Sequence, residues 1–125
     1  MCRNSDVSLK IYAGPEIGVA STKAFTCQLV VLACLAIKIG VSNGSLDRQQ
    51  EKQYIQSMLS IPRLISNTLD KEDEIIDLAH GLSDITTTLY LGRGQMYPVS
   101  MEGALKLKEI SYVHAEGYPC LLYTS

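Results

Sequence analysis

The chain has no tryptophan and one phenylalanine in 125 residues, so its aromatic character rests on seven tyrosines. It also lacks an excess of charge: 11 Lys and Arg against 13 Asp and Glu leave a net of -2. Such a balance supplies no electrostatic footprint for nucleic acid or for an anionic membrane surface. Long apolar runs are missing too. Leu29 to Ile37 is nine consecutive apolar residues, bracketed by Thr26, Gln28 and Lys38. A membrane-spanning helix needs about 18 or more, so no membrane partner is expected and the run reads as a buried core or subunit-contact helix. The four cysteines, Cys2, Cys27, Cys34 and Cys120, form no CxxC pair and no zinc spacing; no metal is expected. Cys27 and Cys34 share a helical face but lie ~10 Å apart along its axis, beyond the reach of a disulfide. Free thiols imply a reducing, cytoplasmic setting. The first residues are polar and do not resemble a secretory leader.

What is present is a core-forming composition, 46% apolar, arranged in alternating element types. Val7, Leu9 and Ile11 alternate with polar residues and predict a short strand. Ala13 to Gly18 is a turn-rich loop. Ser21 or Thr22 is the natural N-cap of a long helix from Lys23 to Ile39, ending at Gly40. A glycine-bearing loop before a hydroxyl-rich helix start suits an anion or hydroxyl group; it equally describes a well-capped helix. Val41 to Ser45 is a break. Asp47 can cap the next helix, Pro62 restarts the chain, and the acids Asp70 to Glu74 suit the start of another helix, where the dipole favours them. Thr86 to Leu91 predicts a strand that ends at Gly92-Arg93-Gly94.

The helix that follows carries the candidate chemistry. Pro98 suits its first turn. Glu102, Lys106 and Glu109 are spaced i, i+4, i+7 and fall within an arc of roughly 60°. Leu105, Met101 and Tyr112 flank this stripe on one side, Val99 and Ile110 on the other. Ser100, Ala104, Lys108 and Ser111 make a small-polar face opposite, which reads as the face toward solvent and leaves the stripe to face a site. The same spacing also describes an ordinary solvated acid-lysine face. The helix begins just past a strand, where open α/β sheets bind ligands.

Two long motifs carry a resemblance. AGPEIGVASTKAF (Ala13 to Phe25) and EGALKLKEISYVHAEGY (Glu102 to Tyr118), with LGRGQMYP (Leu91 to Pro98) between them, resemble the isomerase half of the glutamine-fructose-6-phosphate aminotransferases, the glucosamine-6-phosphate synthases. The resemblance covers roughly residues 5 to 119. It implies an α/β fold: a sugar isomerase (SIS) type parallel sheet wrapped by helices, helix-rich and incomplete. On that template residues 1-45 are the end of a first SIS subdomain, 46-78 a helical connection, and 79-125 the start of a second.

The implied activity is conversion of fructose 6-phosphate, with ammonia from a fused glutaminase domain, to glucosamine 6-phosphate in amino sugar biosynthesis. A sugar phosphate is the implied substrate, no cofactor is implied, and the full-length parent is implied to be a homodimer. By the resemblance, Glu109 moves the proton between C1 and C2, Lys106 contacts the sugar, and Glu102 is a further active-site acid. Val19 and Ser21 match positions that touch the sugar phosphate. A non-catalytic SIS module that binds a sugar phosphate is the alternative. After Tyr118-Pro119 the family continues toward a ring-opening histidine, where this chain reads Cys120 to Ser125. Its phosphate loop also lies upstream of Met1. The chain is therefore expected to be a fragment, inactive on its own, with an atypical tail.

Overall fold

The structure is a computed structural model and describes residues 4-120. Five helices and two strands are present among them: α1 (Lys23–Ser42), α2 (Arg48–Leu59), α3 (Ile61–Leu69), α4 (Glu72–Gly81), β1 (Thr87–Gly92), α5 (Met96–Ile110) and β2 (His114–Pro119). They form two compact units, one of Met1–Glu16 with Thr22–Ile75, the other of Ile17–Ser21 with Ile76–Ser125.

In the first unit, α1 runs 20 residues and buries none of them fully. Of the two expectations for this run, a buried core helix or a subunit-contact helix, burial within the chain is corrected: its most apolar 18-residue window is only 6% buried. By length and composition α1 could cross a membrane, which apolar helices of many kinds also satisfy. The expected stop at Gly40 is also corrected, since the helix continues to Ser42. Gly40 serves a different purpose. A Cβ there would come within 2.7 Å of the Leu46 side chain, so glycine lets the returning chain fold over the helix. The reversal falls instead at Gly44, which has a left-handed φ of 77°, as glycine permits.

Asp47 caps α2 as its sequence position predicts. Its carboxylate accepts from the Gln49 and Gln50 amides at 2.8 Å each, and the Gln50 side chain accepts from the Asp47 amide at 2.9 Å. This reciprocal capping box satisfies amides that the helix leaves without partners. Pro62 sits in the first turn of α3, where its missing N–H costs nothing. Glu72, Asp73 and Glu74 open α4 as expected. Val7 to Ile11, expected as a strand, form none. A strand requires a ladder partner for its backbone groups, and β1 and β2 pair only with each other among the described residues.

In the second unit, β1, α5 and β2 form a βαβ unit with parallel strands, Thr88 beside Ala115 and Tyr90 beside Gly117. Strand β2 was not anticipated. Its helix-facing positions are Ala115 and Gly117, too small to give the alternation that marks a strand. Small size is what the packing needs. A Cβ on Gly117 would approach the Met101 Cα to 2.8 Å, and one on Gly103 would come within 2.9 Å of the Tyr90 ring. The small face of α5 is therefore the buried face: Ser100 and Ala104 are its buried residues, and Ala104 keeps 2% exposure. This reverses the expectation that Ser100 and Ala104 face solvent. Small residues let α5 lie close against the sheet, and the larger shoulders Val99, Met101, Leu105, Ile110 and Tyr112 remain exposed.

Candidate active site

Three residues separate the end of β1 from the start of α5, in a turn where Gly94 takes a φ of 54°. Amides of Met96 and Tyr97 donate to the Arg93 and Gly94 carbonyls at 3.0 and 3.2 Å. Pro98 lies in the first turn, as predicted. This entry, together with the close packing of Ala104 and Gly103 on the sheet, sets the rotation of α5 and hence the direction of its acid-lysine stripe.

The structure brings all three stripe residues together. The Lys106 Nζ donates to Glu109 Oε2 at 2.6 Å and lies 3.4 Å from Glu102 Oε1. Their side chains are 22 to 29% exposed. Glu102 and Lys106 are half-buried and Glu109 is exposed, so the three remain open to a small molecule. The hydrogen bond to Glu109 raises the Lys106 pKa above its ordinary 10.5, burial opposes it, and Glu102 adds to the rise. Lys106 is thus held as an ammonium through the neutral range. A carboxylate accepts through four lone-pair positions, so the Lys106 bond leaves Glu109 with capacity to take up a proton. The arrangement offers a proton-accepting group beside a fixed positive charge, the combination needed to remove a proton next to a polarised oxygen.

Val19 and Ser21 are exposed residues of the loop Ile17–Ser21, which groups in the same compact unit as α5. The helix corner after this loop differs from its expected form. Thr22 occupies the N-cap position, but its own side chain makes no capping bond to α1. Glu16 caps the helix from upstream. Its Oε1 accepts from the Thr22 amide at 3.0 Å, the Thr22 hydroxyl at 3.0 Å and the Lys23 amide at 3.2 Å; Oε2 accepts from the Ala24 amide at 3.2 Å. These bonds, the Thr22 amide first, lower the Glu16 pKa below 4.5. The amides expected to meet an external anion are therefore engaged by an internal carboxylate. Sequence reasoning missed Glu16, because caps are sought one to three residues from a helix start.

Other polar groups gather on β2. The Tyr118 hydroxyl donates to Glu116 Oε2 at 2.6 Å, and His114 Nε2 lies 3.5 Å from Glu116 Oε1. The bond to Glu116 raises the Tyr118 pKa. His114, Glu116 and Tyr118 occupy alternate strand positions opposite in phase to the buried Ala115. The apolar grooves lie in the first unit. The one of about 460 Å³ is lined by Val30, Val31, Ile61 and Ile65 among others. None of these grooves includes a stripe residue. Among the described residues no group of three or more His, Cys, Asp or Glu could hold a metal ion.

The parallel βαβ unit and the helix-rich remainder define a class, a helix-rich α/β chain. No family model matches the chain. The particular resemblance is to the glutamine–fructose-6-phosphate aminotransferases. The chain is 55% identical over 118 residues to the isomerizing glutamine–fructose-6-phosphate aminotransferase of Mesorhizobium japonicum, across 94% of this chain and 19% of that protein. It is 55% identical over 119 residues to the protein of the same name from Agrobacterium fabrum, across 94% of this chain and 20% of that one. The C-terminal domain of glucosamine-fructose-6-phosphate aminotransferase from Francisella tularensis has the same fold, with a TM-score of 0.92 and 49% identity over 94% of this chain and 33% of that domain's chain. The chain thus spans about a fifth of the length of the curated relatives it matches.

Proposed function

We propose that the chain is part of the isomerase domain of a glutamine-fructose-6-phosphate aminotransferase that forms glucosamine 6-phosphate from fructose 6-phosphate and ammonia. The single observation that carries this reading is the contact of Lys106 with both Glu109 and Glu102, within a sequence about half identical to such enzymes. In this reaction ammonia condenses with the C2 carbonyl and water leaves. A proton then departs C1 and one is delivered to C2, through an enolamine, leaving an aldehyde at C1 and the amino group at C2. Glu109 is the group that takes the proton from C1 and returns it at C2. Lys106 holds the sugar oxygens and steadies negative charge as the proton leaves. Glu102 fixes Lys106 from the other side. Val19 and Ser21 meet the sugar phosphate.

On the same reading residues 1-45 and 79-125 are parts of two SIS subdomains joined by residues 46-78. The whole protein works in the cytoplasm as a homodimer with a fused glutaminase that supplies ammonia. The test is a complete enzyme in which this chain replaces the matching 118 residues of the Mesorhizobium japonicum aminotransferase. In it Glu109→Gln should lower turnover of fructose 6-phosphate by ~10²–10⁴, the usual loss for a general base, while fructose 6-phosphate still binds. Full turnover by the variant would remove Glu109 from the chemistry. Binding without turnover in the unsubstituted graft, when the parent enzyme is active, would favour a sugar-phosphate-binding module.

A further inference from the structure

We infer that Glu16 is a positioning residue: its carboxylate ties the two ends of the loop Ile17–Ser21 together and so holds Val19 and Ser21 in place. The inference rests on the proposed contact of Val19 and Ser21 with the sugar phosphate. Its physical basis is independent of that contact. Glu16 precedes the loop and Thr22 follows it, and Glu16 Oε1 accepts from Thr22 and Lys23. The Ala24 amide donates to the other carboxylate oxygen. The five residues between are thus tied at their base by one side chain. A tied loop has fewer conformations than a free one, and a ligand that needs one of them binds better when it is already selected. The ionised carboxylate also meets three amides at the positive end of a helix dipole, a tighter hold than a hydroxyl cap from Ser21 or Thr22 would give. Glu16 touches no reacting atom on this account. It acts through Val19 and Ser21.

Two substitutions grade the effect. Glu16→Ala removes the acceptor for Thr22, Lys23 and Ala24. Glu16→Gln keeps an Oε1 for Thr22 and Lys23 and loses the acceptor for Ala24. In the grafted enzyme Glu16→Ala should raise the KM for fructose 6-phosphate roughly 5-fold, the scale of a lost helix cap, with kcat within about twofold. Glu16→Gln should recover most of that loss. An unchanged KM, or a fall in kcat with KM unchanged, would overturn the inference. Amide hydrogen exchange on the grafted enzyme gives a second readout that needs no activity. Glu16→Ala should speed exchange at Gly18, Val19, Ala20 and Ser21 as well as at Thr22, Lys23 and Ala24. Unchanged exchange at residues 18-21 would refute the positioning role whatever the kinetics. Glu109→Gln in the same graft separates the two ideas: full activity there defeats the proposed reaction, whereas the exchange result at the loop judges Glu16.

Discussion

Glycine does opposite work in the two units. In the β1–α5–β2 unit a side chain at Gly117 would strike the Met101 backbone, and one at Gly92 would strike the Met96 carbonyl. In the first unit a side chain at Gly40 would meet the Leu46 side chain, its Cδ1 at 2.7 Å and its Cγ at 2.8 Å. Backbone against backbone leaves no room to adjust, while a leucine can change rotamer. The burial differs in the same sense. The second unit holds Ala104 at 2% and Ala115 at 0% exposure, whereas α1, α2 and α3 bury no residue fully. The stripe helix is thus placed by close, small-residue packing. The apolar surface of the first unit is generous but not tightly fitted.

The sharpest way to break this comparison is to fill both glycines. Gly117→Ala should destabilise the β1–β2 ladder by about 1–3 kcal/mol, the usual cost of overpacking, read as lost amide protection in both strands. Gly40→Ala should change stability by less than about 1 kcal/mol, because the helix propensity gained offsets the displacement of Leu46. Equal losses at the two sites would show that the units are packed alike. A smaller effect is expected at the cap of α2. Asp47→Ala removes acceptors for two amides and should cost about 0.5–2 kcal/mol, measured by denaturant unfolding, with Asp47→Asn retaining most of the stability. No loss in Asp47→Ala would mean that the capping box leaves the first unit unaffected.

The smallest effects are those of pH, and they separate the units by sign. The folded Glu16 carboxyl has a lowered pKa, so its stabilisation is complete above 4.5 and is lost as pH falls through the lowered value. Lys106 has a raised pKa, so its stabilisation is complete below 10.5 and is lost as pH rises through the raised value. Carboxyl carbon NMR of Glu16 should show a midpoint below 4.5, with faster exchange at Thr22 to Ala24 once it is protonated. A midpoint at or above 4.5 would contradict the clamp. Loss of the Lys106 contacts should begin only on the alkaline side.

Much of the stripe was legible in the sequence because it depends on local periodicity. The i, i+4, i+7 spacing of Glu102, Lys106 and Glu109 places them together on any helix, and Pro98 marks the start of this one. Asp47 was equally legible, as its partner Gln50 lies three residues on. What could not be read depends on separation. Glu16 caps a helix six to eight residues downstream, a distance no local pattern specifies. Val7 to Ile11 has the alternation of a strand, but alternation does not supply a partner. Strand β2 was hidden for the converse reason, as Ala115 and Gly117 buy proximity to α5 at the expense of an apolar signal. The same exchange misled the reading of Ser100 and Ala104, whose small size marks contact with the sheet and not exposure.

The account depends most on Glu109 moving a proton at C1. The direct measurement is release or transfer of tritium from C1 of tritiated fructose 6-phosphate by the grafted enzyme with ammonia present. The unsubstituted graft should mobilise the label during turnover, and Glu109→Gln should mobilise it no faster than buffer while still binding the sugar phosphate. Label moving at the same rate in both would show that another group carries the proton, and that the Glu102–Lys106–Glu109 stripe is an ordinary ion-paired helix face.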